Sequence, residues 1–206
     1  MPCLQPSPWS RMILHANPRA AILKHLEIYL GAVAEGWTQN GDGVPLPFDV
    51  LRFDSAPSAG TVTFATVGLS QRPLLSLQTG KAIPQEFMMS CHENQKDLNI
   101  PAVLQQVGAQ ALRRGQALLR GELMGPRGPL FPRLQLTALY AAIPIYFPDS
   151  MHSMVDRNGA ETVFVWLLPL YESEARLVAE KGWETFERQL ADMDPDVTDL
   201  RRPAVL

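Results

Sequence analysis

The stretch "LLPLYESEA" at residues 167–175 sets two carboxylates, Glu172 and Glu174, where an apolar run ends. Enzymes place general acids and bases at strand ends of this kind, and helices begin with acidic residues at the same kind of junction. The second use has a simple physical basis. The positive end of a helix dipole favours a nearby carboxylate by ~0.3–1 kcal/mol at exposed positions. Leu177 and Val178 continue an apolar helical face beyond the pair. Nothing in the spacing implies the enclosed cleft that general acid–base work requires. The junction therefore reads as a helix start, capped by Ser173 or a neighbour.

Other reactive residue types are present but badly spaced. Cys91 and His92 are adjacent within "QEFMMSCHEN", and neighbours on a strand point to opposite faces, so they cannot pair. His15, His25 and His152 are scattered, with neither an HxxxH nor an HExxH pattern. Ser70 in "VGLSQ" lacks the flanking glycines of a nucleophile elbow and reads as a turn after a strand. Asp192, Asp194, Asp196 and Asp199 invite a calcium-loop reading, yet the loop glycine and the terminal glutamate are missing. In "RGELMGPRGP", the glycines at 121, 125 and 128 match neither GxGxxG nor a phosphate-binding loop ending in Lys-Ser/Thr. The expectation is no catalytic residue, no cofactor and no structural metal.

The elements that carry these residues are set by pattern. Asn17-Pro18 gives an N-cap and a proline at the first helical position, and Ile22, Leu26, Tyr29 and Val33 come next at helical spacing. "TQNGDGVPLP" (38–47) breaks that helix. "TVTFATVG" (61–68) and "QEFMMSC" (85–91) read as strands, and Asn99 and Pro101 open a helix whose face holds Val103, Leu104, Val107 and Ala111. Leu134, Leu136 and Ala138 alternate with polar residues as a half-buried strand, and Pro144 and Pro148 confine the residues beyond it to an edge or a loop. "ETVFVWLLPL" (161–170) is apolar on both faces, as in a strand covered on both sides, with Pro169 ending its inner ladder. Gly182 ends the helix after Glu172, and Trp183, Phe186 and Leu190 share the face of another. The predicted core includes Phe64, Leu104, Val107, Leu136, Val163, Val165 and Leu167. Irregular interleaving of strands and helices gives an α+β fold: a single domain, with a mixed or antiparallel β-sheet and packed helices. Residues 1–16 read as a loose N-terminal arm and 17–202 as the domain.

Composition narrows the function. The chain has 206 residues, 46% hydrophobic and 19% charged, typical of a folded globular protein. A net charge of −3 argues against a nucleic-acid partner held by phosphate neutralisation. Two cysteines form no disulfide framework, and Cys91 reads as a buried free thiol. No signal peptide or membrane span is recognisable, so a cytoplasmic location is expected. Recognition surfaces centre on aromatic and arginine anchors, often in loops on a rigid scaffold. Two loops fit: one with Arg120 and Arg127, the other, "IYFPDSMH", with Tyr146, Phe147, Asp149 and His152. The opposing reading has Phe147 packed inward and the arginines solvated.

Several segments resemble the suppressor-of-fused (SUFU-like) domain family. They are the early helix "AILKHLEIYLG", the strand and turn "TVTFATVGLSQRP" and the Glu-led strand "QEFMMSCHEN". The most specific is "VFVWLLPLYESEARLVAEKGWETFERQL", with the aspartate-rich "DPDVTDLRRP" completing the order. The 120–132 loop is unlike the animal proteins and points to a bacterial-type member. The resemblance implies a non-catalytic binding protein with a protein partner. Animal members restrain Hedgehog-pathway transcription factors with this domain and a second one, for which this chain is too short. Bacterial members look like immunity proteins of polymorphic toxin systems, which neutralise a cognate toxin by direct contact. The mildly acidic surface would suit a basic toxin domain such as a nuclease, through steered association. An enzyme using the acidic junction at Glu172 and Glu174, and a scaffolding domain without any toxin, are the alternatives.

Overall fold

The computed structural model describes residues 18–206. The expected loose arm at 1–16, the Asn17 cap, Cys3 and His15 lie outside the described residues. Helix α1 (Pro18–Leu30) buries Ile22, Leu26 and Leu30. The helix stops there because Gly31 turns to φ 83°. Val33, expected on its face, instead begins β1 (Val33–Gln39). The segment 38–47 is the turn of a hairpin from β1 into β2 (Pro45–Asp54). β1 is exposed along nearly its whole length, so it shows no apolar alternation. Pro45 and Pro47 of β2 precede Asp49, where its pairing with the next strand begins, so their missing N–H groups interrupt no second ladder.

The chain continues through β3 (Thr61–Val67), a small hairpin of β4 (Leu74–Leu75) and β5 (Ala82–Ile83), and β6 (Gln85–His92). Helix α2 (Ile100–Arg114) begins with proline in its first turn and ends at Gly115, which takes the left-handed conformation. The 120–132 loop contains the short β7 (Leu123–Met124), followed by β8 (Leu136–Ala142), β9 (Ser153–Val155) and β10 (Glu161–Tyr171). Helices α3 (Glu172–Lys181) and α4 (Trp183–Met193) complete the order.

One sheet runs β1-β2-β3-β6-β10-β8-β7, with β9 on the outer part of β10. All its pairs are antiparallel except β6 with β10, so the sheet is mixed. Each face buries a core. On one face α2 packs over Phe64, Phe87, Leu136, Val165 and Leu167. On the other, α1, α3 and α4 cover Ala65, Met88, Tyr140, Phe164, Trp166 and Leu168. Alternate residues of β10 thus feed two cores, the physical meaning of a strand without polar alternation. Val163, predicted as core, packs against the first cluster but stays half-buried near the start of β10.

Pro169 does not end β10. It lies in the ladder opposite Leu139, and its carbonyl accepts Arg202 Nη2 at 3.4 Å. That carbonyl faces away from β8, and the proline nitrogen faces the same way, so no β8 hydrogen bond is lost. β6 pairs β10 only through Trp166, leaving this side to the C-terminal segment. Val205, beyond residue 202, is buried in the second core.

Candidate functional site

The acidic junction is structural in its geometry. Tyr171, rather than Ser173, occupies the N-cap of α3, and its backbone N–H donates to Glu174 Oε2 at 2.9 Å. Glu172 is exposed and pairs with Arg176 one turn on. Glu174 is fully buried and accepts Arg202 Nη1 at 2.6 Å, Arg202 Nη2 at 2.9 Å and Val205 N–H at 3.0 Å. The Tyr171 hydroxyl donates to the Arg202 carbonyl. Glu174 therefore staples the C-terminal segment to the strand-to-helix junction.

A second buried acid, Glu86 on β6, organises the turn after β3. Gly68 turns at φ 102° beneath Arg19, where a Cβ would lie 2.6 Å from the Arg19 Nε. The turn aims its N–H groups at Glu86, which accepts Gly68 N–H at 2.8 Å, Ser70 N–H at 3.1 Å, Ser70 Oγ at 2.7 Å and Thr66 Oγ1 at 2.6 Å. Burial raises the Glu86 carboxyl above its ordinary range, and these donors oppose that rise. Ser70 is held by this acid, and among the described residues no histidine is hydrogen-bonded to it. The Cys91 thiol is fully buried, and burial pushes it up to about 12, far from a reactive thiolate. His92 turns away and meets Asp196 Oδ2 at 2.7 Å.

What remains open is a groove centred on Tyr146. The loop 143–152 folds over Pro144, whose carbonyl accepts the Phe147 N–H at 2.9 Å. This tight turn buries Phe147 in the second core and leaves Ile145 and Tyr146 facing out. On one side of Tyr146 is a polar cleft of about 520 Å³, between residues 57–61, His92 and the segment 194–198. On the other is an apolar cavity of about 190 Å³ between β8, β10 and α4, floored by Trp166 and Leu168. Tyr146, Asp194 and Pro195 border both.

Charge is distributed unevenly along this groove. At one end Arg120 lies over the Trp183 ring at 4.7 Å and forks onto Glu187 of α4, with its Nε 3.0 Å from Oε1. The same Oε1 accepts the buried Tyr140 hydroxyl at 2.7 Å. Burial, then this bond to Glu187, raises the Tyr140 phenol above its ordinary range. At the other end stand Asp194 and Asp196. Burial pushes Asp196 upward, but hydrogen bonds from Thr198 and His92 outweigh it and hold the carboxyl below its usual range. Burial and the two nearby aspartates raise the Tyr146 phenol, against a bond from the Val197 backbone.

The structure brings together two of the six residues singled out from sequence. Arg120 and Tyr146 line the same cavity. Arg127 instead donates to Gln110 of α2, on the opposite face of the sheet. Asp149 is solvated, and the half-buried His152 closes its own loop through Nε2, 3.1 Å from the Pro144 carbonyl. Glu187, Tyr140 and Trp166 carry no signal in the sequence because they join the site only once α4 packs on β8 and β10. Asp194 and Asp196, which lack calcium-loop spacing in the sequence, form its acidic rim; Asp199 bonds Gln95 instead.

The model of the suppressor of fused protein family matches residues 45–203. Among solved structures, a Neisseria gonorrhoeae protein described as a suppressor of fused homolog is 18% identical, with a TM-score of 0.71 over 92% of this chain and 97% of that one. A chain of the Sufu–Fu complex is 14% identical, with a TM-score of 0.68 over 91% of this chain and 92% of that one. Drosophila Suppressor of Fused is 15% identical, with a TM-score of 0.64, and this chain spans 51% of its length. No curated protein matches the sequence.

Proposed function

The chain belongs to the suppressor of fused family, and from that membership we propose a non-catalytic protein-binding domain that neutralises a cognate toxin by direct contact. The observation that carries the binding reading is the fate of the reactive side chains. Glu174, Glu86, Ser70 and Cys91 are all buried, the two acids and the serine holding backbone or side-chain partners. The open groove, in contrast, is lined by an aromatic, apolar side chains and unevenly placed charge, the make-up of a recognition surface. A homologue solved in the Sufu–Fu complex supports a protein as the partner class. Within the described residues no helix is long and apolar enough to cross a membrane.

The toxin reading adds the bacterial cast of the 120–132 loop and the modest acidity of the chain. It is tested by expressing the C-terminal domain of the protein encoded beside it, alone and together with this chain. Growth arrest by the domain alone, relieved by co-expression with recovery of a 1:1 complex, is expected. A harmless neighbour, or arrest that this chain leaves unrelieved, overturns the toxin reading.

A further inference from the structure

We infer that the cavity behind Tyr146 is the anchor subsite for the protein partner: it seats one phenylalanine- or leucine-sized side chain, with a lysine or arginine of the same segment against Asp194. This deepens the binding reading above and rests on it.

Size excludes most other occupants. Sites for drug-sized ligands and cofactors run from about 300 to 1,000 Å³, whereas an apolar cavity of about 150 Å³ holds a benzene. At about 190 Å³, the space behind Tyr146 fits one ring or one branched aliphatic group. Most of its wall, including Ile143, Trp166, Leu168 and Leu190, is apolar, as an anchor pocket requires, and the charged side chains Arg120, Glu187 and Asp194 stand among the rest.

A second, independent feature is the indole of Trp166. Its side chain is fully buried, and Nε1 has no hydrogen-bond partner among the described residues. Tyr146 packs against this indole with ring centroids 5.2 Å apart, so a side chain entering the cavity beside Trp166 changes the surroundings of a resonance that no hydrogen bond fixes.

The rim selects charge. Glu187 already neutralises Arg120, so that end offers no open cation. Asp196 is engaged by His92 and Thr198. Asp194 borders the cavity, exposed, and its carboxylate meets no partner among the described residues. The unbalanced charge at the mouth is therefore negative, and the complement is a basic residue beside the apolar anchor.

The test uses the whole chain labelled with ¹⁵N-tryptophan and the peptide acetyl-Gly-Phe-Lys-Gly-amide. Saturable movement of the Trp166 Nε1–H resonance is expected. Replacing the peptide Phe by Ala should weaken binding about tenfold or more, and Lys by Glu should weaken it further. Asp194→Asn, which keeps a residue suited to φ 43°, should remove the preference for Lys over Glu while the Phe dependence stays. Ala191→Phe, at an exposed position on α4, should fill the cavity and abolish the shift in a protein of unchanged thermal midpoint. A Trp166 resonance that never moves overturns the subsite. So does benzyl alcohol binding as well as the peptide, which reassigns the cavity to small molecules. Resonance movement with protein concentration alone overturns it in favour of self-association. Peptide binding without toxin rescue would remove only the toxin reading, and rescue without peptide binding only the subsite.

Discussion

Arg202→Met should destabilise the protein by about 3–5 kcal/mol, the usual cost of stranding one member of a buried ion pair. The side chains of Glu174 and Arg202 are 0% and 5% exposed, so water cannot take the arginine's place. The substitution removes two charge-assisted bonds, at 2.6 and 2.9 Å, and leaves a carboxylate supported only by the Tyr171 and Val205 amides. With a urea dependence of about 2 kcal/mol/M, the midpoint should fall by about 2 M. Adding Glu174→Gln should recover part of the loss, since the stranded charge disappears while an amide oxygen still accepts a backbone N–H. The assay is equilibrium urea unfolding followed by tryptophan fluorescence and circular dichroism. A wild-type midpoint for Arg202→Met would refute the stapling role and return Glu174 to the candidate chemical groups.

Three further outcomes rest on contacts of the same kind. In a Cys3→Ser background, Cys91 should resist alkylation at mildly alkaline pH until urea unfolds the chain, because burial holds its thiol at about 12; fast labelling of native protein would contradict this. Gly108→Ala should cost ~1–3 kcal/mol by overpacking, since a Cβ there would sit 2.5 Å from Phe48 Cζ; an unchanged thermal midpoint would show that the contact relaxes freely. His25, stacked on Phe164 at 5.0 Å, has its pKa lowered by burial, with the Met151 carbonyl opposing. The unfolded chain then binds the proton first, so His25 should erode stability as pH falls below about 6.5. A His25→Phe variant should lose that part of the pH dependence, as urea midpoints at about pH 7.5 and about pH 5.5 would show.

Much of the scaffold was legible because its signals are local. The β-branched run of β3, the two-faced apolar run of β10 and the helical spacing of α2 each arise within a few consecutive residues. β1 was illegible for the same reason: an edge strand exposed on both sides has no burial to record in its sequence. Pro169 misled because a rule about inner ladders says nothing of a neighbour strand that stops at Trp166. Glu174 was rightly placed at a helix start, but its partner Arg202 lies 28 residues away, a contact only the fold creates. The groove repeats the pattern. Arg120 and Tyr146 stood out as loop anchors, whereas their separation from Arg127 depends on which face of the sheet each loop meets.

The most direct measurement is calorimetric titration of the proposed toxin, the C-terminal domain of the protein encoded beside this one, with the wild-type chain and with folded Tyr146→Ala and Arg127→Ala variants. A groove centred on Tyr146 predicts a tight 1:1 complex that Tyr146→Ala weakens by about thirtyfold or more, the scale of an interface hot spot. Arg127→Ala, on the opposite face, should bind as the wild type does. No complex, or one that Arg127→Ala disrupts while Tyr146→Ala leaves it intact, would contradict the account.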